Sequence, residues 1–180
     1  MRINASKSLL LVVDVQSRLL PAIDNADSIL ANTVWMVNVA QTMGIPVLAT
    51  EHCSQRMGVT DASIRSLLPE SSIVEKEYFS AVSEGALLQA PDADRQQWVV
   101  IGTEAHVCVQ QTVLDLLAAG RTVFVVDDAV GSRNPRDKDL ALQRMRQNGA
   151  EIVSREMVAF EWLERANTPV FRDVLKRFIR

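Results

Sequence analysis

Three residues of this 180-residue chain could do chemistry together: Asp14, Lys76 and Cys108. Each follows a short apolar run rich in β-branched residues. Leu9 to Val13 precedes Asp14, Ile73-Val74 leads to Lys76, and Trp98 to Ile101 leads through Gly102-Thr103-Glu104-Ala105-His106-Val107 to Cys108. A carboxylate, an ammonium and a thiol on one rim make a proton acceptor, a positive charge and a nucleophile, the parts needed for covalent attack on a carbonyl. Cys108 falls in the first turn of an expected helix. Free N–H groups and the helix dipole there favour a thiolate and can hold an oxyanion, so rapid alkylation at neutral pH is expected. Each residue also has a plain structural reading: Cys108 as a small core residue, Asp14 as a turn residue, Lys76 as a surface charge. The Asp14 reading is strained, because a charge placed right after five apolar residues needs a partner.

The elements that would bring these residues together form a repeating pattern. Leu9–Val13, Trp98–Ile101 and Thr122–Val126 read as buried strands, and the first, second and third of these are expected near the middle of a sheet. Pro46–Thr50, Ser72–Glu75 and Glu151–Val153 are weaker strands. Helical periodicity runs from an Asp27 cap to Gly44, from about His106 to Gly120, from about Arg136 to Gly149, and from Thr168 to Arg180. Strand, helix, strand in repetition predicts an α/β fold: a three-layer α/β/α arrangement around a mostly parallel sheet of about six strands, as one domain over residues 1–180. In such sheets a ligand lies beyond the carboxyl ends of the strands, where the three residues stand. His52 to Pro69 reads as a long loop over those ends, with one short helix.

Composition narrows the function. Hydrophobic residues make 48% and charged residues 23% of the chain, and the net charge is −3, with no basic patch for nucleic acid. No apolar stretch reaches the ~20 residues of a membrane span, and the N-terminal residues carry no signal-peptide pattern. Two cysteines do not make a disulfide framework, so a reducing, cytoplasmic setting is expected. His52, His106, Glu51 and Asp61 match no compact metal motif, so no metal and no cofactor are expected. His106 at a helix start reads as a cap, His52 as facing the pocket mouth, Cys53 as structural, and Asp127-Asp128 after its strand as a turn or helix-cap pair. Neither a Gly-rich phosphate loop nor a Gly-x-Ser-x-Gly elbow occurs.

Three blocks, in order, resemble the isochorismatase-like superfamily of cysteine hydrolases, which includes nicotinamidases and N-carbamoylsarcosine amidohydrolases. They are Leu11-Val12-Val13-Asp14-Val15-Gln16, Val74-Glu75-Lys76-Glu77-Tyr78-Phe79-Ser80 and Gly102-Thr103-Glu104-Ala105-His106-Val107-Cys108-Val109. A fourth, Asp127 to Arg133, is similar to the family's strand end after the nucleophile helix. The resemblance covers about Ser8 to Arg155. It implies that Asp14 is the general base, Lys76 the triad lysine and Cys108 the nucleophile. It further implies a cis peptide between Thr103 and Glu104, with the Glu104 and Cys108 N–H groups as oxyanion hole. Gln16, His52, Phe79 and His106 are candidates to line the substrate pocket. The Asp-x-His pair of metal-dependent nicotinamidases is not matched around Thr50 to Gly58. The resulting expectation is hydrolysis of a small amide-type C–N bond through a thioester on Cys108. Alternatives are a vinyl-ether hydrolase using Arg56 or Arg133 to bind carboxylates, a non-catalytic binding or scaffold protein, and a thiol-redox protein pairing Cys53 with Cys108. The Val170, Phe171, Val174, Leu175, Phe178 stripe can pack on its own domain or on a second subunit, and a homo-oligomer, dimer or larger, is expected.

Overall fold

The computed structural model describes residues 1–180. Six strands form one sheet: β1 (Ser8–Val13), β2 (Val47–His52), β3 (Ile73–Lys76), β4 (Gln97–Thr103), β5 (Thr122–Gly131) and β6 (Glu151–Val153). Their order is β3-β2-β1-β4-β5-β6, and every pairing is parallel. β1 and β4 lie at the centre, and all residues of both are buried. That explains their unbroken apolar runs, since both faces are covered by helices.

Alternation along β1 divides the core. Leu10 and Val12 pack with Met36, Val37 and Ala40 of α1 (Ala26–Thr42), with Val158 and Trp162 of α7 (Arg155–Leu163) and with Val174 of α8 (Pro169–Val174). Leu9, Leu11 and Val13 pack on the other face with Val113 and Leu116 of α5 (Gln110–Ala118) and with Ala141 and Met145 of α6 (Pro135–Gln147). This is the expected three-layer arrangement. The C-terminal stripe packs on its own chain: Val174 is fully buried, and Val170, Phe171 and Phe178 lie against the α1 side of the core.

Several local expectations are corrected. Asn25, not Asp27, is the residue before α1; it adopts a left-handed conformation, and Asp27 sits inside the first turn, where a negative charge suits the helix dipole. The loop after β2 holds two short helices, α2 (Ser54–Met57) and α3 (Ala62–Arg65), not one. α4 (Ala86–Gln89) and α7 were not anticipated. Asp127 and Asp128 do not follow β5 but lie within it. Asp127 pairs with Lys138 at 3.2 Å, and Asp128 accepts the Arg155 N–H at 2.9 Å where α7 begins, so the helix-cap part of that reading holds.

Candidate active site

Asp14 is the first residue beyond β1, and its φ of 50° turns the chain sharply out of the sheet. The turn depends on the neighbouring strand. Gly102 of β4 has a φ of 134°, and a Cβ there would lie 2.1 Å from the Val13 carbonyl oxygen. Only glycine lets β4 run that close to the end of β1. One residue on, the Thr103 hydroxyl donates to the Asp14 carbonyl at 2.6 Å.

The Asp14 carboxylate is fully buried and held at both oxygens. Oδ1 accepts from the Thr50 hydroxyl at 2.6 Å, and Oδ2 accepts from the Lys76 ammonium at 2.7 Å. Lys76 ends β3, two strands away, with its side chain 1% exposed. Its ammonium also donates to the Tyr78 carbonyl at 3.2 Å, leaving one of three protons uncommitted. A charge pair this deep is sustained by its geometry and its extra hydrogen bonds, because desolvating both ions is costly.

Cys108 completes the cluster. The chain leaves β4 through Glu104, passes a single π-helical turn at Ala105–Val109 and continues as α5. Cys108 is 4% exposed. Burial pushes its thiol pKa up, the nearby Asp14 charge pushes it further, and Lys76 pulls against both. Asp14, Lys76 and Cys108 are therefore neighbours in space, as expected. Against the thiolate expected at a helix start, loss of solvent and the facing carboxylate hold the thiol pKa above its ordinary value.

The cis peptide is also corrected. No cis bond occurs in the chain, and Glu104 makes the turn in a left-handed conformation at φ 54°. A cis bond before a non-proline residue costs ~3–4 kcal/mol, and a left-handed residue costs less. The Glu104 N–H donates to no protein acceptor.

The remaining candidates separate. Gln16 is fully buried, and its amide is used inside the protein: Oε1 accepts the His52 N–H at 2.7 Å, while Nε2 donates to the carbonyls of His52 at 3.1 Å and Gly58 at 2.6 Å. It is a clamp rather than a pocket wall. The His52 ring packs on Phe79, with centroids 5.4 Å apart. Phe79 is half exposed and lines a cleft of about 410 Å³ with Glu77, Tyr78, Ser80, Ser83 and Gln111. The cleft opens between the segment after Lys76 and the helix after Cys108. His106 is turned the other way: its Nδ1 lies 2.9 Å from the Ser132 hydroxyl and 3.6 Å from Glu104 Oε2, toward the end of β5. Arg133 is engaged by Glu104 at 2.8 Å, and Arg56 is exposed on α2. Glu51 binds Arg65 and the Thr60 N–H, Asp61 caps α3, and no three His, Cys, Asp or Glu side chains gather as a metal site. Cys53 and Cys108 are both free. Thr50 and Thr103 are the site residues that sequence reasoning passed over. Thr50 is marked only by the fold, which pairs it with Val13 at the end of β1.

Known proteins resemble this chain over most of its length. A family model for the isochorismatase domain matches residues 8–157. The secreted isochorismatase effector Isc1 of Phytophthora sojae is 34% identical over 182 residues, covering 97% of this chain and 86% of that protein. The MAR1 ribonuclease structure from Caenorhabditis elegans superposes with a TM-score of 0.90 at 32% identity, covering 100% of this chain and 93% of that one. The YcaC gene product of Escherichia coli, described as an octameric hydrolase of unknown specificity, has a TM-score of 0.92 at 22% identity, over 99% of this chain and 91% of its own.

Proposed function

The chain belongs to the isochorismatase family, and we propose that it is a cysteine hydrolase of a small amide-type substrate, with Asp14, Lys76 and Cys108 as its catalytic residues. The observation that carries this reading is the buried Lys76–Asp14 pair at 2.7 Å beside a buried thiol whose pKa both partners influence. An enclosed acid–base pair at a lone thiol has an economical use in proton transfer at sulfur.

In this reading Cys108 starts as a thiol. As sulfur attacks the carbonyl carbon, the S–H proton passes to Asp14 and the C=O electron pair moves onto oxygen. The Glu104 N–H, which lacks a protein partner, and the Cys108 N–H receive that oxyanion. The tetrahedral carbon then expels nitrogen, which takes the proton from Asp14 and leaves as the amine. Water attacks the thioester and gives a proton to Asp14. Collapse releases the acid, and the sulfur recovers its proton. Lys76 keeps a positive charge beside the carboxylate throughout and steadies the sulfur as it becomes anionic.

The amide reading is favoured over the vinyl-ether one by the thiol seated beside the Lys76–Asp14 pair, which suits acyl transfer to sulfur. A net charge of −3 and a triad no more than 4% exposed favour a small molecule over an RNA strand, although one structural neighbour is a ribonuclease by name. Exposed Tyr78 and Phe79 beside the cleft, together with the octameric neighbour, support a homo-oligomer. No helix is long and apolar enough to cross a membrane. The test is ammonia release from a panel of small primary amides. The parent should turn over at least one of them and Cys108→Ser none. Turnover that survives in Cys108→Ser would remove the nucleophile from the account.

A further inference from the structure

We propose that His52 contacts the substrate through Nδ1, and that the substrate carries a second hydrogen-bonding group several atoms from its scissile carbonyl. This deepens the proposed function and rests on it.

His52 is the last residue of β2 and is paired in register with Lys76. Residues paired across a parallel ladder project to the same face, and residues two apart on a strand do likewise. Leu48 of β2 packs in the cluster that contains Cys108, and Thr50, two residues on, bonds the Asp14 carboxylate. His52, two further, therefore shares the catalytic face with Lys76 and Thr50.

Its backbone and its ring are each held. The buried Gln16 amide grips both the N–H and the carbonyl of His52, and Phe79 packs against the imidazole at 5.4 Å. In this setting Nδ1 is buried and has no hydrogen-bond partner. Buried polar atoms are nearly always bonded, and an unmet one at a functional site calls for a reason. A ligand atom supplies it. The sheet order gives the direction: β4 provides the turn with the Glu104 and Cys108 N–H groups, β1 the base, and β2 the imidazole beyond it. A substrate with its carbonyl at the β4 turn reaches His52 with a remote group. An alkyl group there leaves Nδ1 unmet, whereas a hydroxyl or amide satisfies it. Sites built in this way discriminate against the analogue that lacks the polar group.

The test uses thiol-reactive acrylamides in matched pairs: N-hydroxymethyl, N-(2-hydroxyethyl) and N-(3-hydroxypropyl) against N-ethyl, N-propyl and N-butyl. Alkylation of Cys108 is followed by peptide mass spectrometry, and each rate is divided by that for free cysteine. The expected result is about a tenfold preference for the hydroxylated member at one chain length. That preference should vanish in His52→Leu and be largely kept in His52→Gln, which can still hydrogen-bond. No preference at any length in the parent, or one that persists in His52→Leu, overturns the role of His52 and leaves the nucleophile standing. Failure of all six reagents to alkylate Cys108 overturns the cysteine reading itself, and the role of His52 with it.

Discussion

Replacing Lys76 with methionine keeps the length and most of the volume of the side chain but deletes its charge. The Asp14 carboxylate is fully buried, and after the change the Thr50 hydroxyl at 2.6 Å and the Cys108 thiol remain beside it, neither of them a cation. Removing one partner of a buried pair costs ~3–5 kcal/mol, because the other charge is stranded. For a chain of this length each kcal/mol shifts the melting temperature by roughly 2–4 °C, so Lys76→Met should melt roughly 6–20 °C below the parent. The companion Asp14→Asn/Lys76→Met double variant removes both charges and should recover part of that loss, giving a coupling energy of roughly 1–3 kcal/mol in a double-mutant cycle. Calorimetry or denaturant melts of the four proteins give every value needed. If Lys76→Met melts within about 2 °C of the parent, the pair does not hold the Asp14 charge, and the reasoning that places Lys76 in the site fails.

Further predictions follow from the same geometry. The Cys108 pKa is raised in the folded protein, so its contribution to stability is complete below the ordinary thiol range and is lost as pH rises from there toward the raised value. Relative to Cys108→Ser, the parent should lose roughly 1.4 kcal/mol of stability per pH unit above about pH 8.5; parallel pH profiles would contradict the burial argument. Asp14→Asn should abolish turnover while speeding iodoacetamide alkylation of Cys108 at pH 8, because the carboxylate charge is one of the causes that raises the thiol pKa. Slower alkylation in that variant would show that Asp14 assists the thiolate even without substrate. Gly102→Ala places a methyl group 2.1 Å from the Val13 carbonyl oxygen and should cost ~3 kcal/mol or more in chemical denaturation; a parent-like midpoint would mean the β1–β4 ends are looser than described.

Much of this was legible in the amino-acid order, for physical reasons. Strands covered on both faces must be continuously apolar, so β1, β4 and the first half of β5 announce themselves. Polar residues that immediately follow such runs mark the sheet's carboxyl rim, which is why Asp14 and Lys76 could be singled out. The rest depends on partners distant in the chain. Asp127 and Asp128 interrupt an apolar run, yet β5 continues through them, because Lys138 and the start of α7 receive their charges. Gln16 is expected to line the substrate pocket; only the fold shows that its amide grips the backbone of His52, 36 residues away. The raised pKa of Cys108 comes first from burial and then from Asp14, and both are properties of the packed molecule. α7 was readable and was missed: Val158, Ala159, Trp162 and Leu163 repeat at helical spacing after a Ser154 cap.

The central claim is that Cys108 becomes covalently acylated, and its most direct test is to catch that adduct. The parent is mixed with the best amide from the panel, quenched in acid within milliseconds to seconds and mapped by mass spectrometry. The expected result is the mass of the acyl group on the peptide containing Cys108, formed and lost at rates compatible with turnover and absent in Cys108→Ala. Turnover with no adduct on Cys108 at any quench time, or an adduct on another residue that survives in Cys108→Ala, would contradict it.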